Sequence, residues 1–557
     1  MNLNLSAQSY FKRMFQEVSD LKVLLLEKET TKIVSSSITQ SNLLEQQIYL
    51  TVLIENQREK LRHLKCIAFL RPTSQTLRFL CEELRDPRYS EYHLYFTNIL
   101  SKSFLERLAE SDDFEVVKTV QEIFLDYLVV NNDLASLNVP HVIDNTPDSW
   151  LDSALERTQQ GLVSLLLSLK KKPLIRYDVN SFISLKLAEE VSYVMQNEGQ
   201  LFNFRKSDTP SILLILDRKN DPITPLLTQW TYQAMVHELF GINNGRVSFH
   251  NASLPGETTE IVLNPALDPF YNEARFDNFG ELGVKIKDYV SQLQTKSTKK
   301  ANDIESIADM KQFLETYPEY RRLSGNVNKH VSLVSEISLK VQQENLLEIG
   351  EVEQSMVCNE PQATDFSYVQ RLVSSNISEN TKLRLATLYA LRFEKIDPAK
   401  VASLQGLLLA NGVSPAKASI IPTLLHFSGV AARQGDIFPP TNIFSRARSG
   451  FKGLRGVENV YIQHSPFLKS IVQDLLQGKL KESTHPYYNI DATTENVHEK
   501  PQDIIIMMVG GATYEEARFI SEINATHPGI RIVLAGTTIH NSSSYIDDIM
   551  YMASRIK

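Results

Sequence analysis

Residues 211–216, SILLIL, are an apolar run with no polar alternation, and two more of the same kind, 504–509 and 531–534, lie far downstream. A strand exposed on one face alternates, whereas one covered on both faces reads as continuous aliphatic sequence, so these runs predict strands in a sheet sandwiched between helices. A helical segment, 514–523, separates the later two, as a crossover between parallel strands requires. The separated stretches are therefore expected to rejoin one alternating sheet, with the intervening chain inserted as a domain of its own.

The amino-terminal part reads the same way on a smaller scale. Residues 22–26 and 66–70 are strand candidates, 42–59 a helix, and Leu77, Leu80 and Leu84 repeat at helical spacing before extended segments at 92–96 and 123–130. That order predicts a small, largely parallel layer ending near residue 132. Leu155, Leu162, Leu165 and Leu169 mark a helix stopped by Lys170, Lys171, Lys172 and Pro173, a positively charged end more consistent with packing than with anion binding. The middle of the chain is helix-rich, with candidates at 285–303, 331–347 and 382–393, a connector near Pro318, and a helix around Leu404, Leu407 and Leu408 ended by Asn411 and Gly412. No long internal repeat makes it a solenoid.

Of 557 residues, 42% are hydrophobic, enough for several cores, and the formal charge of −8 carries no basic repeat that would dominate a nucleic-acid surface. Three cysteines, Cys66, Cys81 and Cys358, without metal-ligand spacing fit a reducing compartment, and no apolar stretch approaches a membrane span. Any membrane connection is expected to pass through a partner.

Four features could carry chemistry. Asp217 and Asp221 flank a turn after the strand at 211–216 and would serve a metal-dependent hydrolase if a third ligand joined them; Pro222 and Pro225 restrict the path, and Trp230 and Tyr232 can pack it, which favours an architectural joint. VGGATYEEARF, residues 509–519, places glycines between strand and helix, but it lacks the lysine of a P-loop and the spacing of a dinucleotide fingerprint, leaving a tight turn as the preferred reading. Arg446, Arg448, Lys452 and Arg455, among glycines, suit an exposed loop or an anionic surface. The 12 histidines form no His-Glu-any-any-His motif, and no Gly-any-Ser-any-Gly elbow occurs. No cofactor or metal is expected.

In order along the chain, LILDRKNDPITPLLTQWTYQAM (214–235), KQFLETYPEYRR (311–322), HVSLVSE (330–336), LRLATLYALRFE (383–394) and VGGATYEEAR (509–518) resemble the SM family of syntaxin-binding SNARE chaperones. LERLAESDD (105–113) and YPEYRRLSGNV (317–327) are most similar to its endosomal and Golgi vacuolar-protein-sorting branch. The resemblance implies an α/β three-domain arch: residues 1–132 as an amino-terminal domain, 133–240 with 475–557 as a split second domain, and 241–474 as a helix-rich insertion bearing a helical hairpin.

It also implies a cytoplasmic, nonenzymatic protein, peripheral at endosomal, trans-Golgi or vacuolar transport membranes. Its partners would be a syntaxin-like Qa-SNARE, a vesicle SNARE and the assembled SNARE complex, with no nucleic acid. Glu27 and Lys32 resemble cleft positions that contact syntaxin. Leu105, Leu108, Val120 and Ile123 resemble the pocket for its amino-terminal peptide, or form the domain's own core. Pro318 and Val331 resemble hairpin positions used in SNARE templating, although Ser324, Gly325 and Asn326 offer less apolar contact than such hairpins. The alternative is a vesicle-tethering scaffold that does not template SNAREs.

Overall fold

β1 (Lys22–Leu26) is buried at every position, and around it a parallel sheet is built in the order β2-β1-β3-β4-β5, with β2 Ile48–Leu53, β3 Leu61–Leu70, β4 Tyr89–Phe96 and β5 Val117–Glu122. The structure is a computed structural model describing residues 1–205, 209–250, 258–302, 307–433, 435, 437–438, 461–489 and 500–555, with only backbone described at 250, 292–302 and 307–324. Helices Ser74–Arg85 and Lys102–Ala109 supply crossovers, and Leu77, Leu80 and Leu84 enter the core with Val23, Leu25, Cys66, Ala68 and Leu94. Each of the leucine and valine side chains among them contributes about 1.5–3 kcal/mol on burial.

The expected helix over 42–59 is corrected. A short helix, Gln40–Glu45, stops where Gln47 takes φ +61°, and the next residues form β2. Ile48, Tyr49, Thr51 and Val52 are β-branched or aromatic and suit a pleated edge strand better than a helix. The apolar segment 123–130 is likewise divided: β5 precedes it, and only its end enters β6 (Leu128–Asn131), in a different sheet.

That second sheet runs β6-β7-β13-β12-β9-β8, with β7 Leu134–Ser136, β8 Leu174–Tyr177, β9 Ile212–Asp217, β12 Asp503–Val509 and β13 Arg531–Gly536. A separate antiparallel hairpin holds β10 (Arg246–His250) and β11 (Thr258–Val262). Ile212 to Asp217 pair in parallel with Ile504 to Val509, and Ile504 to Met508 pair onward with Ile532 to Gly536. All of β9 and β12 is buried, as uninterrupted aliphatic sequence demands.

The turn after β12 is structural: Gly510 and Gly511 take φ +82° and +90°, and a Cβ on Gly510 would lie 2.8 Å from that of Arg218. The buried Arg218 guanidinium fills the approach, donating from Nε and from a terminal nitrogen to the Gly511 carbonyl at 3.0 and 2.9 Å. Lys171, past the helix Asp152–Ser168, pairs with Asp503 at 2.5 Å, as a packing helix end should.

The chain forms two compact units. Met1–Arg218, Ile471–Ala512 and Phe519–Ile539 make the first, which holds both large sheets; Lys219–Ser470, Thr513–Arg518 and His540–Lys557 make the second, which is mainly helical. In the second, the connector expected near Pro318 is corrected: one helix runs Ile307–Gln343 through that proline and through Ser324, Gly325 and Asn326. A proline removes one helical hydrogen bond, a local loss that the many flanking turns of a helix this long can absorb. The helical stretch 331–347 is instead divided at Asn345, φ +52°, before Leu346–Cys358 begins. Helix Pro398–Ala410 ends at Asn411, with Gly412 at φ +82°.

Candidate partner-binding sites

The carboxylates of the 217–221 turn are spent on the fold. Asp217, buried at the end of β9, accepts the Ser181 hydroxyl at 2.6 Å, and its N–H donates to Asp178 at 2.7 Å. Asp221 accepts the Thr224 N–H at 3.0 Å and hydroxyl at 2.6 Å, and the Phe467 N–H at 2.9 Å. Thr224 also meets His464 at 3.0 Å, an imidazole whose pKa burial pushes down, against the nearby Asp221 and Glu515 charges. Among the described residues no three His, Cys, Asp or Glu side chains group so as to hold a metal ion.

The rest of this joint is packed as its aromatic residues suggest. Trp230 stands 5.1 Å from Tyr461, ring to ring, and a Cβ on Gly350 would come within 3.0 Å of the indole. The Thr228 N–H donates to Glu353 at 2.8 Å, and Glu353 in turn pairs with Arg384 at 2.7 Å. Arg384, within LRLATLYALRFE and 4% exposed, also reaches Glu238 at 2.9 Å. Sequence reasoning missed this ionic centre; the available signal was a cation among leucines and alanines on the inward face of a helix.

Glu27 and Lys32 bracket the first turns of helix Lys28–Ser37 in opposite ways. The Glu27 N–H donates to Thr30 at 3.0 Å, while its carboxylate accepts the Arg71 N–H and the Thr76 hydroxyl, each at 2.8 Å. Burial raises its pKa despite these donors. Arg71 continues to Asp126 at 2.9 Å, so Glu27 belongs to an internal bracket. Lys32 pairs with Glu29 at 2.9 Å, and a third of its side chain is exposed.

Leu105, Leu108, Val120 and Ile123 divide similarly. Ser101 caps helix Lys102–Ala109 through the Phe104 N–H at 3.2 Å, and Phe104 and Leu108, one turn apart, enter the first sheet's core. Leu105, rotated about 100° from Phe104, is 40% exposed. On edge strand β5, Val117 packs inward while Val120 is 39% exposed; Ile123, just past the strand, is buried. The structure thus assigns Leu108 and Ile123 to the core and leaves Leu105 and Val120 as surface hydrocarbon.

Pro318 lies within helix Ile307–Gln343, as does Val331, which is 37% exposed. His330, next to it, is fully buried: one ring nitrogen meets the Tyr232 hydroxyl and the other Asp268, both at 2.8 Å, and its ring lies 4.7 Å from Phe270. Burial works to raise the Asp268 pKa, but hydrogen bonds and charge from His330 and Lys329 hold it down to about 2. Leu333, Ile337 and Val341 continue the inward face, while Val331, Ser335 and Leu339 form an exposed stripe at intervals of four. Leu339 was missed, though its spacing from Val331 carried the signal. The basic run Arg446, Arg448, Lys452 and Arg455 lies outside the described residues.

Residues 22–548 match the Sec1 family. Vacuolar protein sorting-associated protein 45 of Schizosaccharomyces pombe is 76% identical over the full length of both chains, and its namesake in Homo sapiens is 43% identical, over 99% of this chain and 96% of that one. Among solved structures, an SM protein Vps45 in complex with the Qa SNARE Tlg2 (1-310) superposes with a TM-score of 0.91 at 47% identity, covering 100% of this chain and 98% of that one.

Proposed function

This chain belongs to the Sec1 family, in its Vps45 branch, and from that premise we propose that it is a cytosolic syntaxin-binding chaperone that regulates or templates SNARE assembly in endosomal and Golgi vesicle fusion and protein sorting. The observation that carries this reading is the full-length likeness, at 47% identity, to a Vps45 bound to its Qa SNARE. A partner helical bundle of that class supplies extended apolar and charged faces, which surface positions such as Lys32 and Val331 are suited to meet.

The work is divided by domain in this reading: residues 1–132, 133–240 with 475–557, and 241–474. Lys32 makes polar contact with the syntaxin, held in place by the internal bracket of Glu27. Leu105 and Val120 receive a hydrophobic anchor from the syntaxin amino-terminal peptide, over a floor set by Leu108 and Ile123. A peptide tethered to the bundle raises the effective concentration of the second contact, so two modest grips act as a strong one. The helix bearing Pro318 and Val331 orders an incoming vesicle SNARE. Fusion energy comes from SNARE zippering, and the chain reaches the membrane through these partners.

Mixing the purified chain with the cytosolic segments of endosomal, Golgi and plasma-membrane Qa-SNAREs and weighing the products by light scattering tests the reading. A one-to-one complex with an endosomal or Golgi member is expected. Monomers alone across the panel would overturn it.

A further inference from the structure

Five Ser-Pro or Thr-Pro dipeptides occur in the chain, at Thr146, Thr209, Thr224, Ser414 and Ser465, and only Ser414 is followed at the third position by a cation, in Ser414-Pro415-Ala416-Lys417. Ser414, Pro415 and Ala416 are all exposed. Thr224, by contrast, is buried with its hydroxyl bound to Asp221. Ser414 begins the short helix Pro415–Ala418 without a side-chain capping bond, and its hydroxyl instead lies against the Glu379 carboxylate, whose pKa is held down by Lys417 first and by the Ser414 N–H and hydroxyl as well. Its backbone, at φ −62° and ψ 147°, is extended, the conformation a following proline enforces and a peptide-binding cleft can grip.

We propose that Ser414 is a phosphorylation site for a proline-directed protein kinase and that its phosphate opens a clamp formed by Glu379 and Lys417. In the chain as it stands, the Ser414 N–H donates to one oxygen of Glu379 at 2.9 Å, and the Lys417 ammonium pairs with the other at 2.6 Å. Glu379 is the first residue of helix Glu379–Phe393, so the clamp fastens the turn before Pro415 to that helix's start. Lys382, on the same helix, adds a bond to the Asn411 carbonyl at 3.0 Å.

The step draws on a magnesium-bound nucleoside triphosphate. The Ser414 oxygen attacks the γ-phosphorus, an O–P bond forms, the bond from that phosphorus to the β–γ bridging oxygen breaks, the nucleoside diphosphate leaves, and the serine proton passes to a base of the kinase. The product carries about −1.5 to −2 charge beside the Glu379 carboxylate. Like-charge repulsion pushes Glu379 away from the Ser414 N–H, while Lys417, three residues on, is drawn to the phosphate. Both bonds of the clamp weaken together.

The test is incubation of the full purified chain with a proline-directed kinase and magnesium ATP, with phosphate mapped by tandem mass spectrometry and a peptide of residues 409–421 as substrate control. One phosphate at Ser414, absent from Ser414→Ala and slowed in Lys417→Ala, is expected. A labelled peptide with an unlabelled folded chain, or equal labelling of Ser414→Ala, would overturn the site. Hydrogen exchange then reads the clamp: amides from 413 to 418 should exchange about tenfold faster after phosphorylation. The rise should be smaller in Glu379→Gln, where no carboxylate is left to repel. Unchanged exchange in the phosphorylated chain would refute the opening.

Discussion

The joint around residues 221–231 buries charge, whereas helix Lys102–Ala109 and β5 each expose hydrocarbon. In the joint, Asp221, Thr228, Glu353 and Arg384 are all buried and each is tied to a named partner. On the other face, Leu105 and Val120 stand about two-fifths exposed beside polar positions, though Leu108 shows that the same helix has an inward side. Charge removed from water without partners is heavily penalised, and hydrocarbon left in water gains nothing. The first arrangement holds the fold together, and the second is the surface proposed above for the syntaxin peptide.

The largest effect should come from the joint. Arg384→Ala leaves Glu353 and Glu238 without their cation, and a loss of about 3–5 kcal/mol is expected, read as a lowered denaturant midpoint. A midpoint unmoved by that change would erase the contrast. Next, Leu108→Ala should lower stability by about 2–5 kcal/mol through the cavity it opens, with peptide binding falling only as the folded fraction falls.

A third test uses pH. Because the folded-state pKa of Asp268 lies below its ordinary value, its contribution of about 2 kcal/mol is present above pH 3.8 and is lost as pH falls toward about 2. Asp268→Asn should flatten the acid-unfolding profile in that window, and an unchanged slope would remove the carboxylate from the account. The smallest stability effect belongs to the exposed face: Leu105→Ser with Val120→Ser should move the midpoint by no more than about 0.5 kcal/mol. A large loss would return those side chains to the core.

How far the sequence disclosed this contrast depends on the signal. Apolar runs at 211–216, 504–509 and 531–534 specified buried parallel strands because period-2 alternation was absent, and they pair as neighbours. Residues 48–53 read as part of a helix because six residues of edge strand, exposed at Tyr49, Leu50 and Thr51, carry too few core positions to set a period. Pro318 misled in the opposite sense, since a proline argues for a break only where the flanking turns cannot hold.

Side-chain direction was the harder inference. Leu105 and Leu108 look alike as letters and differ by where the helix turns them; Glu27 and Lys32 look like a surface pair, yet two donors from the chain's own Arg71 and Thr76 draw the first inward. Those donors lie more than forty residues away, beyond any local pattern. Arg384 was hidden for the same reason, because its partners Glu353 and Glu238 come from other helices.

The most direct test is calorimetric titration of an endosomal Qa-SNARE, with and without its amino-terminal peptide, into the unmodified chain and into Leu105→Ser with Val120→Ser. Saturable binding to the unmodified chain is expected, weakened at least about tenfold by removing the peptide, and weakened as much, but no further, by the double substitution. Equal affinity in all four titrations would contradict this expectation, because the exposed hydrocarbon would then serve no peptide.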